Sequence, residues 1–336
     1  MKKTNRSQNG SKNSKKENAP SESLLSLEAN NHCASPIADT NTLVPKGSDC
    51  KSPGSESPKK QLRPGVSDET LENAGIRKVT AGQDPTDHGQ NGIWIPYHDW
   101  DGKPITENGK PYGRLRVDVE DPSAPGKYKQ RKDSDVHLYI PPGVECADVV
   151  VEGEFKALSL VERGIQACGV SGLACFQKVK GVFVDELRDP VFNRLGITLE
   201  FLGDSDTATN HQFPGLVLTL LAMLPKGYSL FLPRLPLLGP KGIDDCFQEW
   251  GDAWEENWDG LTRIGVDPKL HKGKRAEAEL QSRLLREVAA DDLREYWEDS
   301  KQRLRVYRCL AAMSASPTTA HETSEWVRET LGLGLK

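Results

Sequence analysis

Two short stretches place carboxylates directly behind apolar runs. In "VVVEGEFKAL" (149–158) three valines are followed at once by Glu152-Gly153-Glu154, and in "ITLEFLGDSD" (197–206) Gly203 precedes Asp204 and Asp206. A third acidic pair, Asp244-Asp245, lies in "KGIDDCF". Carboxylates gathered in one place repel one another unless a cation joins them, and a hard divalent ion takes oxygen ligands of this kind. Glu152, Asp204 and Asp206 are therefore candidate catalytic and metal-binding residues for Mg2+ or Mn2+, with Asp244 and Asp245 as further ligands. Metal-bridged carboxylates stabilise the charge that develops on a phosphoryl group during transfer. Upstream, "GKYKQRK" sets Lys127, Lys129, Arg131 and Lys132 around Tyr128. Cations suit phosphates and a ring can stack on a base, so this is a candidate nucleic-acid patch. Taken alone, the same stretch reads first as a solvated loop.

The elements that must position these residues follow from periodicity. "YGRLRVDV" (112–119) alternates Leu115, Val117 and Val119 with Arg114, Arg116 and Asp118, so the spacing predicts a strand with one apolar and one charged face. "GIWIPYHDWDGKPI" is a strand followed by a turn at Asp101-Gly102. From 146 onward short apolar strands alternate with helices. Strands are predicted at 148–151, 165–170, 197–202 and 228–232, and helices at 154–163, 182–194 and 213–224. Such alternation predicts an α/β fold whose parallel sheet is covered on both faces. Ligands of such sheets bind at the carboxyl ends of the strands, where Glu152, Asp204 and Asp206 fall. A short helix is expected after Ser67, ending at Gly75. After 250 the chain reads as helical, with Trp250, Trp254 and Trp258 on one helix face.

Composition bounds the rest. The chain has 336 residues and a formal charge of −5, yet its first sixteen residues carry Lys2, Lys3, Arg6, Lys12, Lys15 and Lys16 and no acid. Residues 1–60 are polar and nearly free of aromatics, a disordered tail by composition, which as a basic arm could also touch nucleic acid. The seven cysteines are scattered without a CxxC pair, which argues against a disulfide framework and a zinc ribbon. No apolar run approaches a membrane span, and the basic N-terminus lacks the apolar core of a signal peptide, so a cytoplasmic protein with no membrane partner is expected. Four segments result: the tail 1–60, a basic α+β subdomain 61–145, a parallel-sheet domain 146–252 and a helical region 253–336.

The motifs "VVVEGEFKALSLVERG", "GVSGL", "LEFLGDSD" and "KGIDD", in this order, resemble a Toprim domain, the catalytic module of bacterial-type primases, topoisomerases and some nucleases. Upstream, "GVSDETLENAGIRKV", "YGRLRVD" and "GKYKQRKDSDVHLYIPPG" are similar in order to the basic half of a bacterial-type primase RNA-polymerase domain. More closely, about 62–250 resembles the Toprim-like DUF3854 family of plasmid, phage and other mobile-element replication proteins, often found ahead of a helicase. The resemblance implies that Glu152 is the first Toprim acid and that Asp204 and Asp206 are the metal-binding DxD. It implies further that Arg114, Lys127 and Tyr128 hold template or nucleotide phosphates, with Arg116 a weaker match. Lys156 stands where primases usually carry an aspartate, and Gly126 where they carry a proline.

Three readings follow from the resemblance. In the first, the chain is a metal-dependent primase-like nucleotidyltransferase that binds single-stranded DNA and nucleoside triphosphates and makes primers for a mobile element. In the second, a Toprim nuclease uses the same acids, with Lys156 on the scissile phosphate. In the third, a non-catalytic replication or helicase-loading factor keeps the fold as a DNA-binding platform. The end of the chain, "HETSEWVRETLGLGLK" (321–336), predicts a helix capped at Thr323 or Ser324. Residues 253–336 would then either dock a separately encoded replicative helicase or pack their apolar stripe on the sheet domain.

Overall fold

The computed structural model describes residues 62–63, 65–117, 126–187, 194–270 and 273–334. The basic tail lies outside them, as do Asp118 and Val119 at the end of the alternating strand. Ser67 caps α1 (Asp68–Asn73) by accepting a hydrogen bond from the Thr70 amide at 3.1 Å, and Gly75 turns the chain at φ +68°. Next come β1 (Arg77–Val79), β2 (Gly92–Pro96), a hairpin of β3 (Thr106–Glu107) and β4 (Lys110–Pro111), β5 (Gly113–Val117) and β6 (Tyr128–Gln130). β1, β2, β5 and β6 form an antiparallel sheet in the order β1-β2-β5-β6. On β5, Leu115 and Val117 are buried with Val79 and Trp94, and Arg114 and Arg116 take the opposite face, as the alternation predicts.

The second sheet comprises β7 (Ala147–Glu152), β8 (Ala167–Val170), β11 (Leu195–Leu202), β12 (Ser229–Pro233) and β13 (Arg263–Val266), in the order β13-β12-β11-β7-β8. β12, β11, β7 and β8 run parallel, and β13 closes the edge antiparallel to β12. The fold is thus α/β, with a largely parallel sheet flanked by helices. Successive valines of β7 serve opposite faces. Val149 and Val151 pack with Phe155 and Leu158 of α2 (Glu154–Val161), while Val150 packs with Phe213 and Val217 of α3 (Phe213–Met223). That double burial is why the strand is almost uniformly apolar.

Three local expectations change. Residues 182–194 do not begin as a helix. A hairpin of β9 (Gln177–Val179) and β10 (Val182–Phe183) turns at Gly181 (φ +81°), a short 3-10 turn covers Asp185–Leu187, and 188–193 lie outside the described residues. The chain after 250 is not wholly helical, because Ile264 and Val266 alternate inward as β13, so the sheet extends past the boundary set at 252. Trp250, Trp254 and Trp258 surround Phe247 at centroid distances of 5.7, 5.7 and 6.3 Å, but from two helices, α4 (Ile243–Trp250) and α5 (Trp254–Asp259). Gly251, at φ +53°, separates them.

The C-terminal helices are α6 (Lys274–Arg286), α7 (Ala290–Glu298), α8 (Ser300–Ala312) and α9 (Pro317–Thr330). Pro317 opens α9, so Thr323 is not a cap; it is fully buried inside the helix, with its hydroxyl 2.7 Å from Ser282 Oγ. Ala276, Leu280 and Leu284 of α6 belong to the same core as Leu199, Phe201 and Phe213, and Leu285, Val288, Leu293, Val306, Met313 and Val327 form an adjoining one. Most of the apolar residues of this region therefore pack on its own sheet domain or on one another, whereas Leu304, Tyr307 and Leu333 stay exposed. Among the described residues no helix is long and apolar enough to cross a membrane.

Deleting 274–336 should strip the cover from α3 and the sheet, so the truncated chain should lose its cooperative melting transition by circular dichroism. A truncated chain that melts like the full one would make the region an appendage. A second expectation concerns His137, whose Nδ1 lies 2.5 Å from Glu186 Oε1 and whose Nε2 lies 2.9 Å from Glu107 Oε1. Burial alone would lower its pKa, but the hydrogen bonds and charge of Glu186 and Glu107 outweigh this and raise it. A raised histidine contributes stability that is full below its unfolded value of about 6.5 and is lost as pH climbs through the native value. The melting temperature should therefore fall as pH rises above about 6.5, and His137→Gln should flatten that slope. The pKa of His98 is lowered by burial, so its effect lies below that window.

Candidate nucleotide and nucleic-acid cleft

The order of the parallel sheet sets the place of the site. From β7 the chain crosses through α2 to β8 on one side, and later enters β11 on the other side of β7. β7 and β11 thus flank a switch point, where the following segments diverge and leave a crevice at the carboxyl ends. The register Leu202↔Val151 sets the end of β11 beside the end of β7, so Glu152 and Gly203-Asp204 emerge as neighbours. Gly153 joins β7 to α2 at φ +115°, a conformation that disfavours any side chain. The backbone amide of Ser205 donates to the Lys241 carbonyl at 2.9 Å and fastens this edge to the loop before α4.

The crevice opens into a cleft of about 450 Å³ between this edge and the charged face of the antiparallel sheet. Of the residues expected at a site, Glu152, Asp204, Asp244, Asp245, Arg114, Arg116, Lys127, Tyr128 and Lys156 line it. Two cations that sequence patterns did not single out, Arg63 and Lys241, complete it. Lys241 lies within "KGIDD", but nothing in a single lysine marks it; Arg63 precedes the first element and follows no period.

Other expected residues lie elsewhere. Asp206 does not line the cleft, and its Oδ2 accepts from Arg305 Nη1 of α8 at 2.7 Å. The basic run of 127–132 is divided by strand alternation. Tyr128 pairs with Arg116 across β5 and β6, whereas Lys129 pairs with Leu115 and so takes the opposite face. Arg131 binds Asp87, at 3.2 Å, and Lys132 is not among the residues lining the cleft.

Two buried ion pairs form the floor. Glu154 accepts from Arg114 Nη1 at 2.6 Å and from the Tyr97 hydroxyl at 2.7 Å, and Arg114 Nη1 also donates to the Ser171 carbonyl. The Arg114 guanidinium lies 4.6 Å from the centroid of the Tyr128 ring, so one cation over that ring is supplied by the protein itself. Asp244, fully buried in the first turn of α4, binds Arg63 at 2.5 Å, with Asp245 3.7 Å from the same guanidinium.

The acidic edge is itself neutralised. Lys156 Nζ contacts one oxygen of Asp204, and Lys241 Nζ lies 3.2 Å from the other. Burial raises the pKa of Glu152, the nearby Asp204 charge adds to this, and Lys156 and Lys241 work against it. The Asp204 charge, against the opposing effect of burial, raises the pKa of Lys241. These residues do not fit a preformed Mg2+ or Mn2+ site. Asp204 is engaged by two lysines, Asp206 by Arg305, and among the described residues no group of three acidic, histidine or cysteine side chains is placed to hold an ion.

The opposite wall differs. Among the described residues Arg116 and Lys127 have no carboxylate at ion-pair distance, and the pKa of Lys127 is lowered by burial and then by Arg116, Lys241, Arg63 and Lys156. This wall of the cleft is one that an anion would stabilise.

No protein-family model matches the chain, and no curated protein matches it. Among solved structures it is similar to a DNA primase domain from Pseudomonas aeruginosa, at 18% identity and a TM-score of 0.39, over 76% of this chain and 78% of that one. It is also similar to the DnaG primase catalytic domain bound to ssDNA, at 16% identity and a TM-score of 0.42, over 80% of this chain and 86% of that one. Both are distant likenesses.

The ion pairs make a stability prediction. Glu154→Ala leaves Arg114 and Tyr97 buried without their acceptor and should cost about 3–5 kcal/mol in urea denaturation. Arg116→Ala, which breaks no ion pair among the described residues, should stay within about 0.5 kcal/mol of the parent. Equal effects would show that the Glu154 cluster does not hold the two sheets together.

Proposed function

We propose that this chain is a primase-like replication protein that holds single-stranded DNA, and the phosphates of a nucleoside triphosphate, in the cleft between its two sheets. The observation that carries this reading is the crowding of Arg116, Lys241, Arg63 and Lys156 around Lys127, with neither Arg116 nor Lys127 paired to a carboxylate among the described residues. Cations held against their mutual repulsion favour a bound polyanion, and a groove of this kind tracks a phosphate backbone. The primase-like character rests on the combined order of the upstream primase-like motifs and the Toprim motifs along about 62–250, and on the convergence of Glu152 and Asp204 at one strand-end crevice.

The reading has a catalytic and a binding form. The catalytic form is primer synthesis with Mg2+ or Mn2+, or, with the same acids, nuclease action. The binding form is a DNA platform for replication or helicase loading, and a specific observation favours it: Lys156 and Lys241 already neutralise Asp204. Incubation of the full chain with single-stranded DNA, Mg2+ or Mn2+ and labelled NTPs and dNTPs separates them. Extended products select primer synthesis, shortened DNA selects a nuclease, and binding without either selects the platform.

Binding itself has a salt signature. Removing one phosphate-binding cation, by Arg116→Ala, Lys127→Ala or Lys241→Ala, should reduce the slope of log affinity against log salt by about 0.7, the counterion-release value for single strands. A triple variant that keeps the parental slope in fluorescence anisotropy would remove the cleft from DNA binding.

A further inference from the structure

Lys156 stands in the first turn of α2, where the packing around it leaves a fitted channel. Its ammonium contacts Asp204, with little exposure on either side chain. A Cβ placed on Gly242 would come 2.5 Å from Lys156 Cε, 2.6 Å from Asp244 Oδ1 and 3.3 Å from Lys156 Nζ. The lysine stem therefore lies in a groove that exists because residue 242 has no side chain. Asp244 Oδ1 borders the same groove without pairing with the ammonium, and it is buried without a hydrogen-bond partner among the described residues. Glu152 completes the surroundings, for it ends β7 beside Gly203-Asp204 and lines the same cleft as Lys156. One ammonium thus holds the carboxylate that follows β11, with Glu152 and Asp244 lining the same cleft.

We propose that Lys156 is the resident cation of this acidic edge, and that the cleft binds its ligand's phosphate through ammonium and guanidinium groups, with no divalent ion between Glu152 and Asp204. The proposal rests on the reading of the cleft as a phosphate site and specifies how that site is charged. A magnesium ion requires near-octahedral oxygen coordination at short range. An ammonium on Asp204 removes one ligand and repels an incoming dication. An ammonium also has three donors on a flexible stem, so Lys156 can stay on Asp204 with one and offer another to a phosphate oxygen. Lys241, largely exposed and also on Asp204, is placed to do the same.

The full chain and a small set of variants test this. Calorimetric titration of MnCl2 should give no one-to-one uptake by the parent protein. Lys156→Asp should acquire one Mn2+, and adding Asp204→Asn should remove it. In EDTA the parent should bind tripolyphosphate, an oligothymidylate or both, without strengthening when Mg2+ replaces EDTA. The first probe reports a nucleotide's phosphates and the second a strand backbone. Lys156→Ala should weaken that binding about tenfold or more, the usual loss for a charge-assisted hydrogen bond. One-to-one Mn2+ uptake by the parent that Asp204→Asn abolishes overturns the proposal, and needs no Lys156 variant to fold. Phosphate binding seen only with Mg2+ overturns it too, while leaving the cleft reading intact. No phosphate binding under either condition overturns the cleft reading and this proposal together.

Discussion

The molecule is organised around compensating carboxylates that its own topology forces together. Parallel strands deliver their carboxyl ends to one edge, and here Glu152, Glu154 and Asp204 arrive at it, with Asp244 close by. Ionised groups removed from water are costly unless paired and hydrogen-bonded. Distant segments supply the partners: Arg63 ahead of α1 for Asp244, Arg114 of β5 for Glu154, Lys156 of α2 and Lys241 of the loop before α4 for Asp204, and Arg305 of α8 for Asp206. One electrostatic requirement thereby ties the antiparallel sheet, the parallel sheet and the C-terminal helices to a single edge.

The partners differ in kind, and the difference bears on function. Arg114 and Arg63 are guanidiniums set into ion pairs with almost fully buried carboxylates, and their planar donors fix geometry. Lys241 is 73% exposed on its side chain, while its carboxylate partner is only 12% exposed. A lysine so placed can turn from Asp204 to a ligand at little cost, because surface ion pairs contribute little. The floor of the cleft is accordingly rigid and its rim adaptable. On the proposed reading, a polyanion entering the cleft would meet Lys127 and Arg116 and could recruit Lys241 without dismantling the pairs that hold the sheets.

The C-terminal helices contribute to the same edge. Besides the Arg305 contact with Asp206, Gln281 of α6 donates to the Ala208 carbonyl at 2.8 Å, and Tyr296 of α7 lies 2.9 Å from Thr209 through their hydroxyls. Three helices thus hold the turn that follows Asp204. Much of their apolar stripe, which from sequence alone could have served a separate partner, packs on α3, the sheet and one another, while Leu304, Tyr307 and Leu333 stay exposed.

The α/β class, the strand ends that carry Glu152 and Asp204, the two-faced strand with Arg114 and Arg116, and the Ser67 cap are all legible in the amino-acid chain. Each depends on a period or an adjacent signal, which a few consecutive residues express in full. Short β13 was hidden because four residues carry too little pattern to stand out from the helical run around them. Which charges meet is set by the folded arrangement of the elements. Arg63 and Asp244 lie 181 residues apart, Arg305 and Asp206 99, and Lys156 and Asp204 48. No local rule spans such separations; strand order and register set them, and charge, unlike hydrophobic periodicity, leaves no mark along the chain of the partner it will find.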